Sequence, residues 1–278
     1  MKSINYIILA VACLCLFSAC EEQPLTIPPF LPPTSGKVVL IEEFTGASCS
    51  GCPAGAAKVE ELLAFYPENV AAVAIHGEFL TQPIEDKSKY DFRNDDALEL
   101  EQSFTIFSKP AATINRSPIL DGMLIKDSPP VWGVFVDELL KGEQEIELTI
   151  EASVDNGILD VVVFGTALVD LPGSYNLGVY VTQSHILDYQ KTNGSTLEDY
   201  EFNHFLRKSL TSVPNGDILV SDLLADGTFD RNYSFTLPTE LDPMIPEWKV
   251  EDLEVVAYVS RDGGARAPII QAAKKKLN

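Results

Sequence analysis

The chain has 278 residues, with 41 Asp and Glu against 20 Lys and Arg, a formal net charge of −21 and a pI near 4.4. Hydrophobic residues at 46% and charged residues at 22% exclude global disorder, and the acidic balance excludes a duplex nucleic-acid binder and a basic face for anionic lipid. The length predicts about two domains, and five cysteines are too few for a disulfide scaffold of this size, so their positions matter more than their number.

Residues 1–19 read as a signal peptide. Lys2 supplies the positive start, and the apolar run from Tyr6 to Phe17 is too short to span a bilayer comfortably but long enough for a signal core. Phe17-Ser18-Ala19-Cys20 resembles a bacterial lipobox, which makes Cys20 the lipid-carrying N-terminus after cleavage. Residues 20–36 form a tether: Pro24, Pro28, Pro29, Pro32 and Pro33 keep it extended and out of helices and central strands. Cys13 and Cys15 leave with the signal and Cys20 is acylated, so Cys49 and Cys52 remain as the thiol pair of an exported protein.

The first folded segment spans residues 37–142. Lys37 to Phe44 is a β-branched apolar run that predicts a buried strand, followed by a loop and Cys49-Ser50-Gly51-Cys52-Pro53. Val59, Leu62, Leu63 and Tyr66 repeat at helical spacing after it, and Pro53 fits the first helical turn. This places Cys49 at a helix N-terminus, where the free N–H groups favour a thiolate. Residues 69–76 predict a second buried strand ending in His76, which reads as a strand-end residue. Residues 77–94 are a polar insertion or lid, 95–107 an amphipathic helix, and Pro110 heads a strand. Residues 121–126 predict a strand or hairpin arm, and a closing helix stops at Gly142. The order β-α-β-α-β-β-α predicts an α/β layer with a mixed sheet.

Strand, CxxCP, helix and a distal proline heading a strand resemble the thioredoxin fold. The resemblance implies that Cys49 attacks or is attacked, that Cys52 resolves the mixed disulfide, and that Pro110 is the cis-proline facing the pair and aligning substrate. It also implies that Glu43, six residues before Cys49, is the buried acid under the pair. Ser48 stands where that family commonly has an aromatic residue. A zinc half-site would need two more ligands. No second CxxC exists and His76, His185 and His204 are scattered, so no metal and no cofactor are expected.

After Gly142 the pattern changes. Residues 145–154 and 159–169 alternate around the turn signal Asp155-Asn156-Gly157; further alternating runs start at Tyr175, Tyr233 and Leu253, and Ile269 to Leu277 reads as a last strand. Residues 143–278 therefore predict an antiparallel β-sandwich domain, with Lys274, Lys275 and Lys276 blunting an edge strand. The long polar stretch from His185 to Asp230 contains a helix-like segment, Tyr200 to Leu210, expected to pack Phe205 and Leu206 on the sandwich. His204 near Arg207 has no catalytic partner identifiable at this level.

That stretch, with EEFTGASCSGCP and Thr113-Ile114-Asn115-Arg116, resembles outer-membrane-protein-28-related lipoproteins of Gram-negative bacteria, which join a thioredoxin-like domain to a β domain. The resemblance implies a lipid-anchored outer-membrane location, periplasmic or surface-exposed, with membrane contact through the lipid on Cys20. Two functions follow. One is a thiol–disulfide oxidoreductase acting on protein thiols or disulfides through Cys49, Cys52, Glu43 and Pro110. The other is a surface binding or adhesin module in which the N-terminal part is a structural scaffold.

Overall fold

The computed structural model describes residues 36–239, 242–264 and 266–277; the signal, Cys20 and the tether up to residue 35 lie outside the described residues. Thirteen strands and three α-helices are formed among those residues: β1 (Val39–Phe44), α1 (Cys52–Phe65), β2 (Val70–Ile75), α2 (Asp95–Phe104), β3 (Ala111–Ile114), α3 (Trp132–Leu140), β4 (Ile146–Asp155), β5 (Ile158–Ala167), β6 (Leu171–Gln183), β7 (Ile186–Thr192), β8 (Ser195–Phe202), β9 (Phe205–Ser209), β10 (Asp217–Leu223), β11 (Thr228–Thr236), β12 (Leu253–Arg261) and β13 (Ile269–Lys276).

One mixed sheet of eight strands dominates, in the order β13-β12-β6-β9-β2-β1-β3, with β10 also on β6. β1 runs parallel to β2 and antiparallel to β3. The long strand β6 carries β12 along one side and both β9 and β10 along the other. β9 reaches β2 through the pair Phe205–Ala74 and a bond from the Ala74 N–H to the His204 carbonyl. A three-stranded sheet, β11-β5-β4, closes over the far half of the large sheet and buries Leu148, Val161, Val163, Val179, Val255 and Val259 between the two layers. The β4–β5 turn uses Asn156 and Gly157 at φ 49° and 78°, as a two-residue hairpin with matching twist requires.

The expected thioredoxin-like α/β domain followed by a separate β-sandwich is not what forms. Strand accounts for 43% and helix for 16% of the described residues, and strands from both sides of Gly142 share one sheet. The physical reason is a shared core. Leu40, Phe44, Val73 and Ile75 from β1 and β2 pack with Ala97, Leu100 and Phe104 of α2 and also with Tyr180, Leu206, Val256, Tyr258 and Ile269, so α2 covers only part of this face and the later strands complete its apolar cover. The opposite face is covered by α1 and α3, through Val59, Leu62, Trp132 and Val136. The described residues accordingly cluster as one compact unit.

Two smaller expectations also change. The helix-like segment 200–210 is strand, β8 running into β9 through His204 at φ 54°; Phe205 and Leu206 are buried, as expected of them, but from a sheet. Residues 121–126 give only a bridge between Lys126 and Ala112. Residues 77–94 form neither helix nor strand, in keeping with a polar insertion, and are pinned: Glu101 accepts the N–H groups of Glu78 and Phe79, and Asp188 accepts those of Lys89 and Tyr90. At the sheet edge, Lys275 and Lys276 of β13 are exposed while Lys274 donates to the Val70 carbonyl at 2.7 Å.

Candidate functional site

Strand alternation sends the two acids of β1 to opposite faces. Glu42 shares its face with Leu40 and Phe44. There it pairs with Arg116 at 2.6 Å, both side chains fully buried, and accepts from Thr113; Arg116 also donates to the hydroxyls of Tyr180 and Tyr258. This network is saturated and ties β1 to β6 and β12. Glu43 shares its face with Val39 and Ile41, under α1. It is 3% exposed, and its Oε1 has no hydrogen-bond partner among the described residues. Burial, aided by the Glu60 carboxylate, pushes its carboxyl up to about 8.

Cys49 and Cys52 form a disulfide, with Cα atoms 5.4 Å apart. Cys52 opens α1 after Gly51, with Pro53 in the first turn. The Lys109–Pro110 peptide is cis, and Pro110 lies against the start of α1. A Cβ on Gly55 would sit 2.5 Å from Glu43 Oε1 and 2.8 Å from Pro110 Cβ. Gly55 therefore lets the helix settle on both, bringing Glu43 and Pro110 to the same turn of α1. Beside Pro110, Lys109 is held by Glu101 at 2.5 Å and donates to Thr81 Oγ1.

The disulfide is covered. Both cysteines are 1% exposed. The β7–β8 hairpin lies over the loop that carries them: Gln190 Nε2 donates to the carbonyls of Cys49, at 2.8 Å, and Gly46, and the Lys191 N–H donates to the Ala47 carbonyl. Ala47 packs with Ile186, Phe202, Phe205 and Phe92. His76 stands among the rings of Phe92, Phe202 and Phe205; burial, with the Lys109 ammonium adding, pushes its imidazole down to about 3. It is a neutral, enclosed side chain, not a base open to substrate.

A family model, described as outer membrane protein Omp28, matches residues 97–278. The chain belongs to the Omp28 family. That membership brings outer-membrane association with it. Among solved structures the chain resembles HBP35 of Porphyromonas gingivalis, with TM-score 0.67 and 21% identity over 88% of this chain and 76% of that one. It also resembles a structural-genomics protein of Agrobacterium tumefaciens, with TM-score 0.50 and 11% identity over 87% and 96%. At these identities the likeness is one of fold. No curated protein matches the sequence.

In this Omp28 family chain the structure gathers Cys49, Cys52, Glu43 and Pro110 around the first turns of α1. Sequence reasoning missed the cover. Gln190 lies 141 residues from Cys49, in a stretch read only as long and polar, and no local signal links them. It also missed the partner of His204, whose Nε2 is 3.3 Å from Glu60 Oε1. The separation of Glu60 and His204 hid that pair, although the helical register of α1 already put Glu60 on the side away from Val59 and Leu62.

Proposed function

We propose that this Omp28 family chain is a surface binding protein of the outer membrane, held there by lipid on Cys20, in which the Cys49–Cys52 disulfide braces the fold. The observation that carries this is the cover: a disulfide 1% exposed at both cysteines, with the Cys49 carbonyl bonded to a buried glutamine of another hairpin, has no open face for a second protein's sulfur. Such a brace closes a short loop and contributes about 2 kcal/mol in the chain-entropy account. Thiol–disulfide exchange is the competing function, and Glu43 and Pro110 beside the pair are what favour it.

One experiment separates the two. The reduced protein is offered a model protein disulfide at pH 6–9. The brace predicts turnover no faster than a free dithiol, together with a lowered thermal midpoint on reduction. Turnover well above the free dithiol, slowed by Glu43→Gln and not by Glu42→Gln, overturns it. The anchor has its own check: a palmitate analogue should label wild-type protein and not Cys20→Ser, and equal labelling removes Cys20 from the proposal.

A further inference from the structure

A cavity of about 210 Å³ opens between α1, β2 and the end of β8. Its walls are mostly small apolar side chains of α1 and β2, Ala56 and Val59 among them. Polar groups enter from three elements: Glu43 from β1, Glu60 from α1, and Tyr200, Glu201 and His204 from the β8–β9 segment. Glu43 is the buried one, with Oε1 lacking a partner among the described residues. An unpaired carboxyl in apolar surroundings is costly to keep, and Glu42 on the other face shows the alternative, a saturated ion pair.

We propose that this cavity binds a small organic ammonium ion with a short alkyl chain, its nitrogen on Glu43 and its carbons against α1 and β2. Of the three carboxyl groups in the lining, Glu60 already faces His204 and Asn203 and Glu201 faces His185, which leaves Glu43 as the one with an oxygen to offer a cation. An ammonium group brings donors and a positive charge to Glu43, with the Glu60 and Glu201 carboxyls nearby adding to the negative field. The Tyr200 ring at the cavity gives a cation a favourable face. The volume is below that of drug-sized pockets, roughly 300–1,000 Å³, and suits a ligand of fewer than about ten heavy atoms. Burial keeps the Glu43 carboxyl protonated to about 8, so binding of the cation drives a proton off it. The proposal goes beyond surface binding and does not rest on it: the cavity is there whether the disulfide is a brace or a redox centre.

The test is calorimetric titration of the full chain, in detergent, with n-pentylammonium and with 1-pentanol as a neutral isostere. The variants are Glu43→Gln and Ala56→Phe; the second fills the cavity from the helix without touching a carboxyl, and carries the same detergent background. Expected are saturable binding by wild type, a loss of at least tenfold in Glu43→Gln, abolition in Ala56→Phe, binding of pentanol at least tenfold weaker, and roughly fourfold weakening per methylene removed from the amine. Identical heats for wild type and Ala56→Phe overturn the site. Equal affinity for pentanol and pentylammonium overturns the ammonium assignment. If Glu43→Gln loses the wild-type circular dichroism, the Ala56→Phe and pentanol comparisons still decide.

Discussion

Glu43 and His76 give the protein opposite pH liabilities within one small region. Folding raises the Glu43 carboxyl from 4.5 to about 8. Between those values the folded chain holds a proton that the unfolded chain has released, so stability falls as pH rises through that window, by up to about 1.4 kcal/mol per pH unit. His76 runs the other way: its imidazole is lowered from 6.5 to about 3, the unfolded chain takes up the proton first, and stability falls as pH drops through that window. Urea unfolding from pH 4 to 9 should show a maximum near the overlap. Glu43→Gln should flatten the alkaline arm and raise stability at pH 8, and His76→Phe should flatten the acid arm. At this scale the sequence was informative where a side chain's fate depends on its own strand: alternation in β1 separated Glu42 from Glu43. It was silent on Arg116, which finds Glu42 across 74 residues, because nothing local encodes so distant a partner.

The β7–β8 hairpin decides what the disulfide meets. Its inner side chains are Ile186, Asp188, Gln190 and Phe202, all buried. Asp188 and Gln190 spend their polar atoms on loop backbone, so a polar-looking segment is in truth an inner surface. Tyr200, Phe202, Phe205 and Leu206 fit a helical stripe as well as a broken pair of strands, and the left-handed turn at His204, φ 54°, divides them; that is why residues 200–210 read as helix. Replacing Gln190 by Ala removes the donor over Cys49 and leaves the carbonyls of Gly46 and Cys49 short of one partner, at a cost of about 1–3 kcal/mol. Reduction of the disulfide in the folded protein should then be at least about tenfold faster than in wild type, since about 1.4 kcal/mol is a tenfold change in an opening equilibrium. An unchanged rate would mean that the hairpin does not gate access.

For the whole molecule, the switch from helical to alternating periodicity at Gly142 was legible, and it does mark a change in the kind of element. It does not mark the end of a core. β1 and β2 bury Leu40, Phe44, Val73 and Ile75 against α2 and also against strands that follow Gly142, and no periodicity reports which later segment will complete the cover of an earlier one. A fragment of residues 37–142 should therefore show no cooperative thermal transition and should bind a hydrophobic dye, whereas the full chain unfolds in one step. A sharp transition in the fragment would place a complete core before Gly142.

The two ends of the described fold are laced together. Lys37 donates to the Ile270 carbonyl, 233 residues away, Val38 donates to the Gln271 side chain, and Gln271 donates back to the Gly36 carbonyl. A ribosome delivers β1 with its partners β2 and β3 long before β9 and β13, so the free edge of β2 and the apolar face of β1 wait for much of the chain to be made. Such long-range closure places the protein among slow folders, and an unpaired strand edge is prone to wrong associations in the interval. The lacing thus makes a holding chaperone matter most during synthesis.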